Sequence, residues 1–418
     1  MGDNMATSGG GLHPGRPVIW PTSKSTPTSS APQTTAGSQT AQAAAQQAAK
    51  LAPTPAEISQ AQAAAKLLSQ GAVARQFSQA DLRALLLSQN IPSNEANEKL
   101  ATLMLRYGVE VSSANFTKLN SMMGAAPDQT SADAAILLLM KGIDSPAAAK
   151  TLSKFLAENP QLASQLSALK GNIQDLQSAL AMGKGIIGEQ MLAQLAAILA
   201  QFSDEIDTIP GKYKFSGKGS MGRGELAGDL RALKALLDGV PDKQNLPDSA
   251  EGQIIKSNIN ATSNKLDQMI QSVISQAMLS KQSQKPDVNY TYYQIPNAMV
   301  TPHNTIELIV KRSDTGGGKR IDPNNTEIIM SFDTNNLGKV AIKMVIKDKK
   351  VEFIFNTMTE DAKNVFSERS KELAKAISEK DFIPAKVQVN VNPSMCSIKP
   401  FLIPFLGIED LMKIDISA

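Results

Sequence analysis

His13 and His303 are the only histidines in 418 residues, and Cys396 is the only cysteine. A histidine-based metal cluster or a Ser-His-Asp arrangement therefore has almost no raw material. Cys396 has no histidine near it in sequence to take its proton, so it reads as a small apolar filler rather than a nucleophile. Two glycine-rich stretches invite a phosphate reading. Gly217–Gly222, GKGSMG, has the dinucleotide spacing, but that chemistry needs a strand before it and a helix N-terminus after it. What precedes it is SDEIDTIPGKYKF, acidic and proline-broken, so the stretch reads as a hinge. Asp314–Arg320, DTGGGKR, lacks phosphate-loop spacing and has no Ser or Thr after its lysine; it reads as a hairpin loop. Carboxylates are scattered over polar positions, with no pair in an apolar setting. These residues assemble no catalytic, cofactor-binding or metal site. The expectation is a protein that acts by contact, not an enzyme, with no cofactor.

Charge narrows the partners. Forty-two basic against 39 acidic residues leave a formal charge of +3, too balanced to argue for nucleic acid. No apolar run approaches the roughly 18 residues of a membrane span; Ala134–Met140, AAILLLM, is far too short, so no membrane insertion is expected. The N-terminus lacks the basic region, apolar core and small-residue cleavage site of a cleaved secretory signal.

The elements that carry these residues fall into segments. Residues 1–50 are Ser, Thr, Pro, Ala and Gln with little to bury, and are expected to be disordered. Residues 51–210 read as an all-α helical-repeat region. Three stretches there share one pattern: an apolar helix end, then Asn90, Gly108 or Gly142, then Ile91, Val109 or Ile143. Asn or Gly just past a helix takes the left-handed conformation cheaply, and the next apolar residue packs back on the last turn. Ser93, Ser112 and Ser145 are the expected caps of the helices that follow. Residues 211–285 read as a glycine-rich linker plus an amphipathic helix over roughly 252–280, striped by Ile255, Ile259, Leu266, Met269, Ile270, Val273 and Ile274.

From residue 286 to 418 the period becomes two. Runs around 306–310, 327–332, 340–346, 351–356 and 387–391 alternate apolar and polar residues, as strands with one buried face do. Residues 360–380 return to helical spacing, with Val365, Phe366, Leu373 and Ile377 on one side. The fold class is therefore multidomain: disordered N-terminus, helical middle, and an α+β C-terminal domain with a mostly antiparallel sheet and one packed helix. The inward row of its central hairpin is Val340, Ile342, Met344 and Ile346, facing Val351, Phe353 and Phe355.

This last unit resembles the C-terminal domain of flagellar hook-length control proteins. The matching residues are Phe332, Leu337, Gly338 and Val340 at the start of the hairpin, then AIKMVIKDKKVEFIF, then the helix and Val-rich strand of SERSKELAKAISEKDFIPAKVQVNV. YYQIPNAM and IELIVKR look like upstream strands of some members, and KIDISA like a short terminal strand. Thr334 stands where the family has Pro. The resemblance implies a protein of the bacterial flagellum that controls hook length. It would be cytoplasmic, then exported through the type III channel to the hook lumen and the medium on a signal in its N-terminus. Its middle would sample the growing hook, meeting hook and hook-cap subunits. Its C-terminal domain would meet the export gate and switch secretion from hook-type to filament-type substrates. Roughly 285 extended residues would span on the order of 900 Å, so a ruler role requires the helices to unfold in transit. The residues this reading places at the gate are Phe332, Leu337, Gly338, Lys339, Val340 and Lys343. Leu337 is expected to be buried, Gly338 to allow a bend, and Lys339 and Lys343 to lie on a solvated polar face. The alternative is a helical structural or adaptor protein of a type III machine, without switching activity.

Overall fold

Schellman turns end three of the first helices. The computed structural model describes residues 78–124, 128–182, 223–238, 248–283, 288–297, 304–311 and 322–403, with scattered positions between 185 and 203. Helices α1 (Gln79–Ser88), α2 (Glu95–Arg106) and α4 (Gln129–Met140) end with Asn90, Gly108 and Gly142 at φ of 55°, 62° and 63°. In each, the following apolar N–H returns to the helix: Ile91 N to Leu86 O at 2.9 Å, Val109 N to Met104 O at 2.7 Å, Ile143 N to Leu138 O at 2.9 Å. Those bonds satisfy carbonyls the helix leaves open and bury Ile91 and Val109. Helix α3 (Ser113–Met123) is capped by Ser112 and α5 (Pro146–Glu158) by Ser145, as expected. The cap of α2 is Asn94 rather than Ser93; its side chain accepts from Asn97 N. Ser93 instead donates to Glu98 at 2.8 Å, because it sits one residue too early to reach the first turn's N–H groups.

Helix α6 (Leu162–Met182) packs along α8 (Ala250–Leu279), α7 (Arg223–Asp238) packs against α8, and the three share one apolar core. The stripe on α8 is buried from Ile255 to Val273, with Ile274 partly so. Residues 1–77, both glycine-rich stretches, His13, His303 and the terminal KIDISA lie outside the described residues.

The sheet has six strands in chain order: β1 (Tyr290–Pro296), β2 (Thr305–Lys311), β3 (Asn325–Thr334), β4 (Gly338–Lys347), β5 (Lys350–Thr357) and β6 (Ile383–Val391). All neighbours are antiparallel except β5 and β6. The parallel pair exists because a crossover separates its strands. That crossover is two helices, α9 (Glu360–Glu368) and α10 (Ser370–Ser378), broken at Arg369, where the sequence suggested one. Phe366, Leu373 and Ile377 pack on Ile346, Val351, Phe353 and Phe355 as the amphipathic spacing requires, but Val365 is turned out and 41% exposed. Within the hairpin Ile342 faces Phe355, Met344 faces Phe353 and Ile346 faces Val351. The expected inward row is thus in place, with Val340 and Ile346 buried and Ile342 and Met344 partly buried.

Helices cover both faces of this sheet. Tyr290, Tyr292, Ile309 and Ile329 share one core with α1–α5 and with Ile398, Leu402 and Ile403 of the following segment, which includes α11 (Lys399–Leu402). Tyr293, Leu308 and Val310, alternate residues pointing the other way, share a second core with α6–α8. Lys141 pins the first layer. It is 2% exposed, donates to Lys281 O at 3.0 Å and Val288 O at 2.7 Å, and lies 4.5 Å from the Tyr290 ring centroid. Among the described residues no helix is long and apolar enough to cross a membrane.

Candidate functional site

The residues the resemblance points to lie where β3 turns into β4. Phe332 pairs with Val340, Asp333 with Lys339 and Thr334 with Gly338, and Asn335, Asn336 and Leu337 close the turn. Thr334 organises it through one hydroxyl. It accepts from Leu337 N at 2.9 Å and donates to Gly338 O at 2.8 Å. A proline there could make neither bond. Gly338 has φ +73°, and a Cβ on it would stand 3.4 Å from Met358 Cγ. Glycine is used here for a left-handed bend with a neighbour close by. Leu337 is only partly buried, contrary to expectation, because it lies past the last ladder pair, in the loop rather than on the sheet face.

The two lysines depart further from expectation. Register puts Lys343 opposite Ile329, and Ile329 opposite Ile309, so this face of β4 looks toward a buried core, not open solvent. Each lysine answers a carboxylate there. Lys343 Nζ is 3.2 Å from Glu327 Oε2, and Lys311 Nζ 2.9 Å from its other oxygen. Burial pushes the Glu327 carboxyl up, but Lys311 and Lys343 outweigh it and hold it below its ordinary value. Lys339 Nζ is 3.9 Å from Glu307 Oε2. Reversing both charges would set four carboxylates together in a half-buried layer, so the pair does not form a neutral surface for substitution.

Glu307 escaped the sequence reading. Its side chain is 1% exposed, yet TIELIVK contains it as an unremarkable polar position. Tyr292 Oη donates to its Oε1 at 2.7 Å, and Gln294 Nε2 donates to Tyr292 Oη at 3.0 Å. Gln294 Oε1 and Thr305 Oγ1 accept from the first N–H groups of α6, Leu162 N at 3.1 Å and Ala163 N at 3.0 Å. Glu307 Oε2 has no hydrogen bond. Burial raises this carboxyl above its ordinary value, against the hydrogen bond from Tyr292, the charge of Lys339 and the nearby side-chain amides of Asn159 and Gln294. The signal that could have found it was one carboxylate set among the Ile, Leu and Val residues of 306–310.

The loop end of the sheet also exposes apolar surface. Met358, against Gly338, is 40% exposed, and Val391, paired with Thr357 beside it, is 37% exposed. Strand β6 is the sheet's outer edge, and its half from Val387 to Val391 carries no charge and no proline. Cys396 is buried, its Sγ donating to Asn392 O at 3.3 Å, and burial pushes its thiol up. Among the described residues no three His, Cys, Asp or Glu side chains cluster as metal ligands.

Comparison with family models, curated proteins and solved structures returns no match in any of the three.

Proposed function

We propose that this chain controls flagellar hook length and switches the type III export apparatus from hook-type to filament-type substrates, and is itself exported. Its partners on this reading are the export gate, through the β3–β4 loop end of the sheet, and the hook and hook-cap subunits, through the chain that precedes the sheet. The observation that carries it is the exposed apolar surface at this end of the sheet: Met358, against Gly338 of the turn that bears the family-like residues, and Val391, paired with Thr357 beside it. Exposed apolar side chains gathered beside a structured turn mark a protein-binding surface better than scattered ones do. Of the six residues assigned to the gate, Leu337 and Gly338 are presented at this end, whereas Phe332 is partly buried, Val340 is buried, and Lys339 and Lys343 are engaged with Glu307 and Glu327. The three equivalent helix ends at Asn90, Gly108 and Gly142 support reading α1–α5 as an irregular helical repeat.

The test begins with a deletion in the flagellated source strain, scored by hook length and filaments in electron micrographs. Loss of the protein is expected to give overlong hooks without filaments. Met358→Ser with Val391→Thr, with the purified protein melting as the parent does, is expected to reproduce that phenotype. Normal hooks and filaments in the deletion would sink the assignment. Normal hooks in the double variant alone would remove this surface from it.

The adaptor reading rests on a groove of about 240 Å³ between α5, α6 and α8, lined by Lys154, Glu158, Gln165, Lys265, Gln271 and Ser272. An adaptor would lose function through substitutions there and not at Met358 or Val391.

A further inference from the structure

Lys339 follows the bend at Gly338 directly, and its only ion-pair partner among the described residues is buried two strands away on β2. That partner, Glu307, accepts from Tyr292 on one oxygen, while its other oxygen has no hydrogen bond and lies 3.9 Å from Lys339 Nζ. Behind Glu307 the chain of bonds runs through Gln294 to the first turn of α6, and Gln294 and Asn159 both face the carboxylate. Asn159 sits at the junction between α5 and α6 with φ 42°, left-handed without being glycine. One charged pair thus connects the helix junction on one side to the loop on the other.

We propose that Glu307 and Lys339 form a latch between the α5–α6 junction and the Leu337–Gly338 loop, closed while Glu307 is ionised and released when it takes up a proton. The physical reason is the asymmetry of the site. A carboxylate this deep costs free energy unless it is paired, and among the described residues Lys339 is its ion-pair partner. Protonation removes the charge that holds Lys339 in, while Tyr292 keeps its hydrogen bond to either form of the acid. Lys339 can then extend its flexible stem to solvent, and the loop loses its tether. The groups that face the pair are Tyr292 and Gln294 from β1 and Asn159 from the junction. Cys396, from the segment after β6, faces Lys339, and Asp333 stands across the ladder from it on β3. Asp333 offers the released lysine an exposed alternative partner. The direction of the Glu307 shift places the release above the pH at which an ordinary glutamate takes up its proton. The latch is a property of the fold and does not depend on the export reading.

The experiment is an NMR titration of the full chain, following the amides of Leu337, Gly338 and Lys339 together with the side-chain carboxyl carbon of Glu307. The loop amides are expected to shift with the same midpoint as the Glu307 carboxyl. In Glu307→Gln they are expected to stay at the released position across the range. Lys339→Met leaves the acid in place and is expected to move the Glu307 midpoint upward, a readout that survives even if the Gln variant fails to fold. Loop amides that titrate in Glu307→Gln as in the parent would overturn the latch, as would a Glu307 midpoint unmoved by Lys339→Met.

Discussion

Replacing Gly142 with alanine isolates one backbone angle. The residue has φ +63°, and a Cβ built on it meets nothing within 4 Å. Steric contact with neighbours therefore contributes nothing, and the cost is the left-handed conformation itself, about 1–2 kcal/mol for an L-residue. Alanine also stiffens the unfolded chain, which returns roughly 0.4–1 kcal/mol. The net expectation is a loss of about 1 kcal/mol. Asn90 supplies the control, since it holds φ 55° at the equivalent position with a side chain that tolerates this region. Gly142→Asn is accordingly expected to cost less than Gly142→Ala, and Gly142→Val more than either. Urea midpoints of the three variants, with unchanged slopes, measure the order directly. The Gly142 carbonyl accepts from Lys281 Nζ at 3.0 Å, so a backbone that shifts to relieve strain also breaks that bond. Alanine equal to or better than asparagine would show that the turn does not depend on the left-handed angle, and the account of all three helix ends would fall with it.

Phe355 is 6% exposed, with ring centroids 6.2 Å from Phe353 and 5.3 Å from Phe366; Phe355→Ala is expected to cost about 3–5 kcal/mol, read as a large drop in melting temperature. A drop of only a degree or two would mean that α9 does not seal this core. Asp133 is 3% exposed, and burial raises its carboxyl despite hydrogen bonds from Tyr107 and Gln129. A raised carboxyl stabilises the fold below its unfolded value and loses that contribution as pH climbs through the folded one. Asp133→Asn is therefore expected to gain on the parent in denaturant midpoint as pH rises from about 4 toward 7, and a gap that stays constant with pH would refute the shift.

The strands were legible because burial on one face imposes period two, and the alternation at 340–346 and 351–355 appears in register as Ile342 against Phe355 and Met344 against Phe353. The helix ends were legible for a local reason too, since a left-handed residue followed by an apolar one needs only six residues to define itself. Strand β1 was harder. It is buried at six of seven positions because helices press on both of its faces, and its residues do not alternate. The candidate site was legible only in part. Leu337 and Gly338 announce a turn, but nothing in the local pattern says that Lys339 and Lys343 look into a half-buried layer. Their partners, Glu307 and Glu327, lie on other strands, and register is a property of the assembled sheet. The same holds for Lys141, whose carbonyl partners are 140 and 147 residues away.

Those long separations set the order in which the molecule can close. The sheet is laid down strand beside strand, so most of its pairings are short excursions along the chain. Helices α1–α5 leave the ribosome well before Tyr290 and Tyr292 of β1, against which they bury, and the 398–403 segment that completes their core follows the whole sheet. Tyr290 Oη donates to Leu402 O across 112 residues. Loop-closure entropy must be met before such contacts return anything, so the first layer docks late and waits on the strands. During synthesis the helices therefore carry an uncovered apolar face until β1 and then the 398–403 segment have emerged. That makes them the natural place for a chaperone to hold the protein open.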